Sequence, residues 1–301
     1  MTNLRHLLLR FIYDLQPFNL KGDAKITSQG SLPISCIIPT FDRWKELDTI
    51  LSCLALQNLS KEHFEVVVVE DGATDEVRNC CKKYEQALDI QLIHTENVNH
   101  CIGALRNRAL EQSRGDLLLF LDDDTQIYQT DFLQLLTDNF ISNPDIDCVQ
   151  ISGRADRCFI KGRYGYLDKF SFAARCVAYR RGKIADIGGF VDALKSYEDI
   201  ELSIRFILSG GEIFPNGNLV YFHPPLYFKS YDKTITNGLA FLSLFHRYTF
   251  ILWIVCYLNA LRFLPLLLSP SIKHRQWGNI SAGFVIAPIY KLFKRIDFFY
   301  R

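Results

Sequence analysis

Three consecutive aspartates, Asp122–Asp124, follow an unbroken apolar run in "LLLFLDDDTQ" (Leu117–Gln126). Like charges this close repel and raise one another's pKa. They become favourable when a divalent cation shares them, and hard cations such as Mg²⁺ and Mn²⁺ prefer carboxylate oxygens. The alternative is a solvated acidic turn that caps the next helix. Four other places carry chemistry-bearing residues. In "VVVEDGATDE" (Val67–Glu76), Asp71 ends an apolar run as a hydrogen-bond acceptor, and Gly72 allows a tight turn; a plain turn is the alternative reading. In "YEDIELSIRFIL", Glu198 and Asp199 stand in the first turn of a helix, where the dipole favours negative charge. They either cap that helix or supply a general base. His223 closes "NLVYFHPP" beside two prolines, where a lone histidine is ordinarily structural. Arg106 follows Leu105 on a helix, where a surface salt bridge is its ordinary role.

Elements that could position these residues are legible in the pattern. "ISCIIP" (Ile34–Pro39), "EVVVVE" (Glu65–Glu70), "IQLIH" (Ile90–His94) and "DLLLFL" (Asp116–Leu121) are short apolar, β-branched or continuous runs. Helical spacing separates them at 44–57, 75–87 and 102–112, the last with Ile102, Leu105 and Ala109 on one face. Strands alternating with helices predict an α/β fold with parallel pairing and right-handed crossovers. The ends of the first, second and fourth strands then gather at one edge, where open sheets bind ligands. After residue 145 the pattern changes: "IDCVQIS" is a further strand, a Gly/Arg/Tyr-rich region follows, and "GGF" (Gly188–Phe190) precedes the acidic helix. That helix shows Ile200, Ile204, Ile207 and Leu208 on one apolar face, and Asn218–Pro225 holds a last strand.

The chain has 301 residues, 49% of them hydrophobic, enough for one large domain with an appendage. Its nine cysteines form no C-x-x-C pair, zinc spacing or secreted-style framework, which favours a reducing compartment. The net charge is +1, unevenly placed: from Lys229 onward there are ten Lys/Arg against two Asp/Glu, about +8, leaving about −7 on the first 228 residues. A basic tail suits a membrane or nucleic-acid surface. Its wealth of Phe, Leu, Tyr and Trp selects the membrane, and no nucleic-acid partner is expected. Tyr248–Leu268 is apolar but interrupted by Asn259, Arg262 and Pro265, so a span and a pair of interfacial or re-entrant helices stay open, as does a cap buried on the domain. "YKLFKRIDFFYR" (Tyr290–Arg301) mixes cations with aromatics as an interfacial helix does. At the other end, Leu4, Leu7, Leu8, Phe11 and Leu15 fall on one helical face, read as an interfacial helix or as one packed on the domain. Residues 20–33, polar with Gly, Ser and Pro, read as a linker.

Four motifs in order resemble the inverting GT-A-fold glycosyltransferases of family 2. "IPTFDR" (Ile38–Arg43) is similar to the first-strand motif, and Val67–Glu76 to the D-D-G-S-T-D motif. "GALRNRALEQSRGDLLLFLDDDT" (Gly103–Thr125) is similar to the A-R-N helix with its D-x-D strand, and "GGF…YEDIELSIRFILSGG" to the Gly-Gly loop and E-D helix. The resemblance covers roughly 32–225. It implies a Rossmann-like nucleotide-sugar-binding domain with a largely parallel mixed sheet over 32–228. An N-terminal amphipathic helix and linker (1–31) would precede it, and a helical, basic, membrane-associating tail (229–301) would follow.

The resemblance further implies donor contacts from Pro39, Thr40, Arg43, Glu70, Asp71, Arg106, Asp122, Asp123, Gly188 and Gly189. A divalent Mn²⁺ or Mg²⁺ would be held by Asp124, His223 and Asp122. Asp199 would be the base, with Glu198 orienting it or touching the acceptor. Glu70 replaces the commoner Asp. The implied donor is a UDP-, dTDP- or GDP-linked sugar. The acceptor would be a glycan or lipid-linked hydroxyl at the cytoplasmic face of an anionic membrane, in cell-surface polysaccharide or glycolipid synthesis. A non-catalytic nucleotide-sugar binder or scaffold is the alternative, although such a protein should lack the base or the metal carboxylates. A sugar-phosphate nucleotidyltransferase would need a Gly-rich loop after the first strand, and "IPTFDRW" has no glycine. A phosphatase-like D-x-D-x-T pattern would need Thr where Gln126 stands.

Overall fold

The computed structural model describes residues 4–95, 101–155, 162–163, 175–194, 196–223 and 232–294. After an N-terminal helix α1 (Leu4–Leu15), strands and helices alternate. They run β1 (Leu32–Thr40), α2 (Trp44–Ala55), β2 (Phe64–Asp71), α3 (Asp75–Tyr84), β3 (Ile90–Thr95), α4 (Ile102–Gln112), β4 (Gly115–Leu121) and α5 (Phe132–Ser142). The second half holds β5 (Cys148–Ala155), β6 (Gly162–Arg163), β7 (Cys176–Arg180), α6 (Arg181–Ile187), α7 (Glu198–Leu208) and β8 (Ile213–Phe222). Three tail helices follow: α8 (Asp232–Ser243), α9 (Phe250–Leu261) and α10 (Ile272–Lys294).

The sheet runs β3-β2-β1-β4-β7-β5-β6, with β8 paired to β5. The first four strands are parallel, whereas β7 is antiparallel to both β4 and β5. Alternation along each central strand splits its side chains between two layers. Ile34, Cys36, Ile38, Val66, Val68, Leu117 and Leu119 face one way, onto α2, α3 and α5. Ile37, Val67, Val69, Leu118 and Phe120 face the other way, onto α4, α6 and α7. Because both faces are covered, all eight residues of β2 are buried, and the run reads as continuous rather than alternating. Pro39 is tolerated near the end of β1 because the ladder to β4 has already stopped at Ile37.

A third apolar cluster lies behind α7. Leu9 and Ile12 of α1, Ile204 and Ile207 of α7, Phe241 of α8, Leu252 of α9 and Phe284 of α10 pack together there. The two ends of the chain therefore share one core with the acidic helix. The apolar face Leu4, Leu7, Leu8, Phe11 and Leu15, read as interfacial or as packed on the domain, is exposed, and α1 is seated instead by Leu9 and Ile12. The expected linker is a strap docked along the domain. Gly22 N–H donates to Ile187 O (2.7 Å), Asp23 N–H to Phe190 O (2.8 Å) and Ala24 N–H to Gly188 O (2.9 Å). The tail's apolar run is not one helix: α9 ends at Leu261, and a tight turn at Leu264–Leu268 with Pro265 follows. The boundary expected at 228/229 and most of the Tyr290–Arg301 segment lie outside the described residues.

Candidate active site

The carboxyl ends of β1, β2 and β4 meet at one edge of the sheet, and the aspartate triplet leaves β4 there. Each member has a different neighbour. Asp123 is buried and accepts from Thr40 Oγ1 (2.9 Å) and Arg43 Nη1 (2.6 Å). Burial pushes its carboxyl up to about 7, against the pull of Arg43 and Thr40. Asp124 accepts from Arg43 Nη2 at 2.9 Å, and its Oδ1 lies 3.0 Å from His223 Nε2 at the end of β8. Burial raises the Asp124 carboxyl, but the facing His223 and Arg43 outweigh it and hold the group well below the usual carboxylate range. Asp122 accepts from Arg106 Nη2 (2.9 Å), with Arg175 Nε at 3.8 Å.

The chemistry of this donor set fits a hard or borderline divalent cation. Asp122, Asp124 and His223 each present one ligand atom, and these atoms lie within 4.8 Å of one another. Asp124 Oδ1 is buried and faces His223 Nε2 at 3.0 Å. A carboxylate oxygen and an imidazole nitrogen this close are both atoms that a bound divalent cation could take as ligands.

The acidic helix supplies the second half of the site. Burial raises the carboxyls of both Glu198 and Asp199, against the lowering charge of Arg106. The Asp199 carboxylate accepts from Ile200 N–H (2.8 Å), within the helix's own first turn. Tyr197, immediately before, holds φ 65°, a left-handed conformation costly for a bulky residue. Its ring packs edge-on against Phe241 (6.0 Å) and Phe284 (5.8 Å) of the tail. The tail core thus helps to hold the turn that aims Glu198 and Asp199. Asp42 (φ 47°), just before Arg43, is the other non-glycine residue with positive φ among those described.

Several expected donor contacts take other positions. Arg106 is 1% exposed and bridges Asp122 and Glu198, donating to both; it is turned inward rather than toward solvent. Glu70 is fully buried. It accepts from Thr74 N–H (3.1 Å) and Thr74 Oγ1 (2.6 Å), while His94 Nδ1 lies 3.1 Å from its other oxygen. Glu70 therefore steadies the residue that caps α3. Gly188 and Gly189 both adopt positive φ, but their backbone groups are committed. Their N–H groups donate to Ala185 O and Ile184 O, Gly188 O accepts from Ala24, and Gly189 O accepts from Arg205 Nη2 (2.7 Å). They cap α6 and seat the strap. Asp71 stands at the end of β2 beside a glycine with φ 127°. Thr40, Arg43, Asp122, Asp123, Asp124 and His223 lie together at this edge, with Pro39 next to Thr40 on β1.

Three residues escaped the sequence reading. Asn107 braces the Gly-Gly loop through Phe190 N–H and O (2.8 and 2.9 Å). Its signal was its place beside Arg106 in the A-R-N motif. Arg175, beside Asp122, follows a stretch with no regular pattern, and nothing in the sequence marks it. Tyr197 is special only in its backbone conformation. The Gly/Arg/Tyr-rich region after β5 is described only at 162–163 and from 175 onward.

Solved structures place this architecture among the GT-A folds. The mannosyltransferase PcManGT from Pyrobaculum calidifontis, solved with GDP-Man and Mn²⁺, superposes with a TM-score of 0.60 at 15% identity, covering 97% of each chain. Staphylococcus aureus TarS 1–349 in complex with UDP-GlcNAc gives 0.57 at 22% identity over 88% of this chain and 74% of that one. The chain belongs to glycosyl transferase family 2, whose family model matches residues 35–188. Its class is accordingly that of the glycosyltransferases. The matched stretch ends before Glu198, Asp199 and His223, so the roles of those residues stand on geometry. Among curated relatives, the poly(ribitol-phosphate) β-N-acetylglucosaminyltransferase TarS of S. aureus (strain Mu50) is 36% identical over 96 residues, 32% of this chain and 17% of that protein. The chondroitin synthase of Pasteurella multocida is 36% identical over 115 residues, 37% of this chain and 12% of that protein. The chain thus spans less than a fifth of the length of these relatives.

Proposed function

We propose that this protein transfers a sugar from a nucleoside-diphosphate donor to an acceptor hydroxyl, with inversion at the sugar carbon. The observation that carries this reading is the juxtaposition of two unlike carboxylate sites. Asp122 is joined to Glu198 through the buried Arg106, so the aspartate triplet and the acidic turn belong to one pocket edge. Asp122, Asp124 and His223 would hold a Mn²⁺ or Mg²⁺ ion. When bound, it supplies Lewis-acid stabilisation of the charge that develops on the departing nucleoside diphosphate.

The chain's own residues account for the rest. Asp71, at the end of β2, takes the base N–H, and Thr40 and Arg43 close the neighbouring strand end. Asp199 is raised by burial yet ionised in use, so it accepts the acceptor's proton as the hydroxyl attacks. A single such base suffices for inversion, because no second carboxylate need act as nucleophile. Arg106 and Glu198 act through Asp199 and Asp122 as positioning residues. UDP-, dTDP- and GDP-linked sugars are the donor classes, and the named ligands of the neighbouring structures favour UDP or GDP. The basic, apolar tail favours a lipid-linked or glycan acceptor at the cytoplasmic face of a membrane, in surface polysaccharide or glycolipid synthesis. The decisive experiment measures nucleoside diphosphate release from a panel of nucleotide sugars with and without Mn²⁺. One sugar should stand out, and its turnover should stop in EDTA. Full activity in excess EDTA would remove the metal from this reading. Tight donor binding without transfer to any acceptor would favour a non-catalytic binder.

A further inference from the structure

Among the described residues, little covers the apolar face of α1. Leu4, Leu7, Leu8, Phe11 and Leu15 are 49–79% exposed, while Leu9 and Ile12 pin the helix to the core behind α7. Arg10 adds a tether, donating to Ile207 O (3.3 Å) at the end of α7. Alongside runs α9, and the two helices line an apolar cleft with Leu8, Leu9 and Ile12 on one side and Leu252, Val255 and Cys256 on the other. α9 also turns large apolar residues outward, with Phe250 61% and Leu258 59% exposed. The stretch Phe250–Leu268 has a mean hydropathy of 2.0 and only 6% of its apolar window is buried. Two helices from opposite ends of the chain thus present adjoining uncovered apolar faces.

The geometry fits a helix lying along a surface better than one crossing it. α9 itself has 12 residues, about 18 Å at ~1.5 Å per residue. The apolar stretch reaches 19 residues, enough for a hydrocarbon core of ~30 Å, only by continuing past Arg262 through the Pro265 turn to Leu268. It is held to the protein along its length. Leu252 is buried, Trp253 Nε1 donates to Phe241 O (3.2 Å), and Tyr257 Oη donates to Phe284 O (2.8 Å). The chain then breaks at the exposed Arg262, whose guanidinium lies over the Phe263 ring. Charge selects the occupant: the segment from Lys229 holds ten Lys/Arg against two Asp/Glu, and α1 adds Arg5 and Arg10 against Asp14. A second copy with the same positive excess in these segments would be repelled, whereas anionic headgroups complement it.

We propose that α1 and α9 together form one in-plane docking face for an anionic lipid bilayer, so that the protein is held by both ends of its chain. This rests on the membrane reading of the tail and extends it to the N-terminus. It also places α7 directly above the bilayer. α1 packs on α7, and Arg247, just before α9, reaches Glu201 of α7 (3.2 Å). The acidic turn of that helix would then receive a lipid-linked acceptor hydroxyl at a fixed height.

The test is flotation of the full-length protein with vesicles of phosphatidylcholine alone and of phosphatidylcholine mixed with phosphatidylglycerol. The parent should bind the anionic vesicles and bind the neutral ones weakly. The double substitution Leu7→Glu with Phe11→Glu alters only exposed side chains. It should weaken partition about tenfold or more at an unchanged melting temperature, and Phe250→Glu with Leu258→Glu should do the same. Leu56→Glu, exposed on the sheet domain, is the charge control and should bind as the parent does. If the parent binds and the α1 variant binds equally well, the two-ended face is wrong while a tail anchor survives. If the parent ignores both vesicles, the membrane reading fails with it, and the sugar-transfer assay is untouched by either result. Bound protein that resists alkaline carbonate would show a span and overturn the in-plane arrangement. A monodisperse dimer that the α1 variant splits would assign the face to a second copy.

Discussion

The two carboxylate sites joined by Arg106 use the same kind of residue under opposite conditions. At the end of β4, Asp124 faces His223 and Arg43, and these cationic or cation-seeking neighbours hold its carboxyl far down. At the head of α7, burial outweighs Arg106 and lifts Asp199 and Glu198. A carboxylate kept ionised under all ordinary conditions is suited to gripping a cation. A carboxylate lifted toward neutrality is suited to taking a proton and giving it back. Residue type alone does not distinguish these jobs; the neighbours do.

The comparison breaks most sharply if the two sites lose different things. Asp124→Ala should abolish turnover and Mn²⁺ binding together, read by nucleoside diphosphate release and metal titration. His223→Ala should weaken the titration without unfolding the protein, and an unchanged titration would remove His223 from the site. Asp199→Asn should keep donor and metal affinity but lose about 10²–10⁴ in kcat. Near-normal kcat would refute the base assignment. In the parent, kcat should fall on the acid side with a midpoint above the ordinary aspartate range, because burial has raised that group. Tyr197→Gly relieves the left-handed backbone but removes the ring from Phe241 and Phe284. Its kcat should fall by up to ~10²-fold through misplacement of the base, with the donor KM unchanged. A lowered donor affinity would instead place Tyr197 on the other site.

Smaller effects on stability sharpen the same contrast. Asp199 has a folded-state pKa raised above its unfolded value, so its ionisation costs stability as pH rises from the unfolded pKa through the folded one. Asp199→Asn should therefore raise the melting temperature near pH 8 and leave it unchanged at pH 3, where both states are protonated. Equal shifts at both values would show a packing effect. Thr74→Ala removes the cap of α3 and a partner of Glu70. It should cost about 0.5–2 kcal/mol in urea unfolding with little change in kcat.

Much of the candidate site was legible in the sequence. β2 is eight residues that can only be buried, α4 spans the interval 102–112 that its spacing defines, and the aspartate triplet had to leave a strand end. Local signals suffice in such places because strand and helix periods are written in the side chains themselves. Long-range partners left no comparable mark. Arg106 has the look of a solvent-facing helix residue, and only the packing of α4 against α7 brings Glu198 to it across 92 positions. The Gly-Gly loop is suited to approach by a ligand, yet the strap from residue 22 and Arg205 have taken its backbone groups.

What the sequence by itself determined is the alternation of elements, the edge at which the motifs gather, and the residue types the chemistry needs. What only the tertiary structure decided is how those residues are divided. Burial and cross-fold charge set Asp124 low and Asp199 high, and neither quantity exists until distant segments meet. The same holds for α1. Its apolar stripe is plain in the sequence, but a helix with two apolar flanks can be seated by either one. Packing against α7 and α9 chose Leu9 and Ile12 and left the other five residues facing outward.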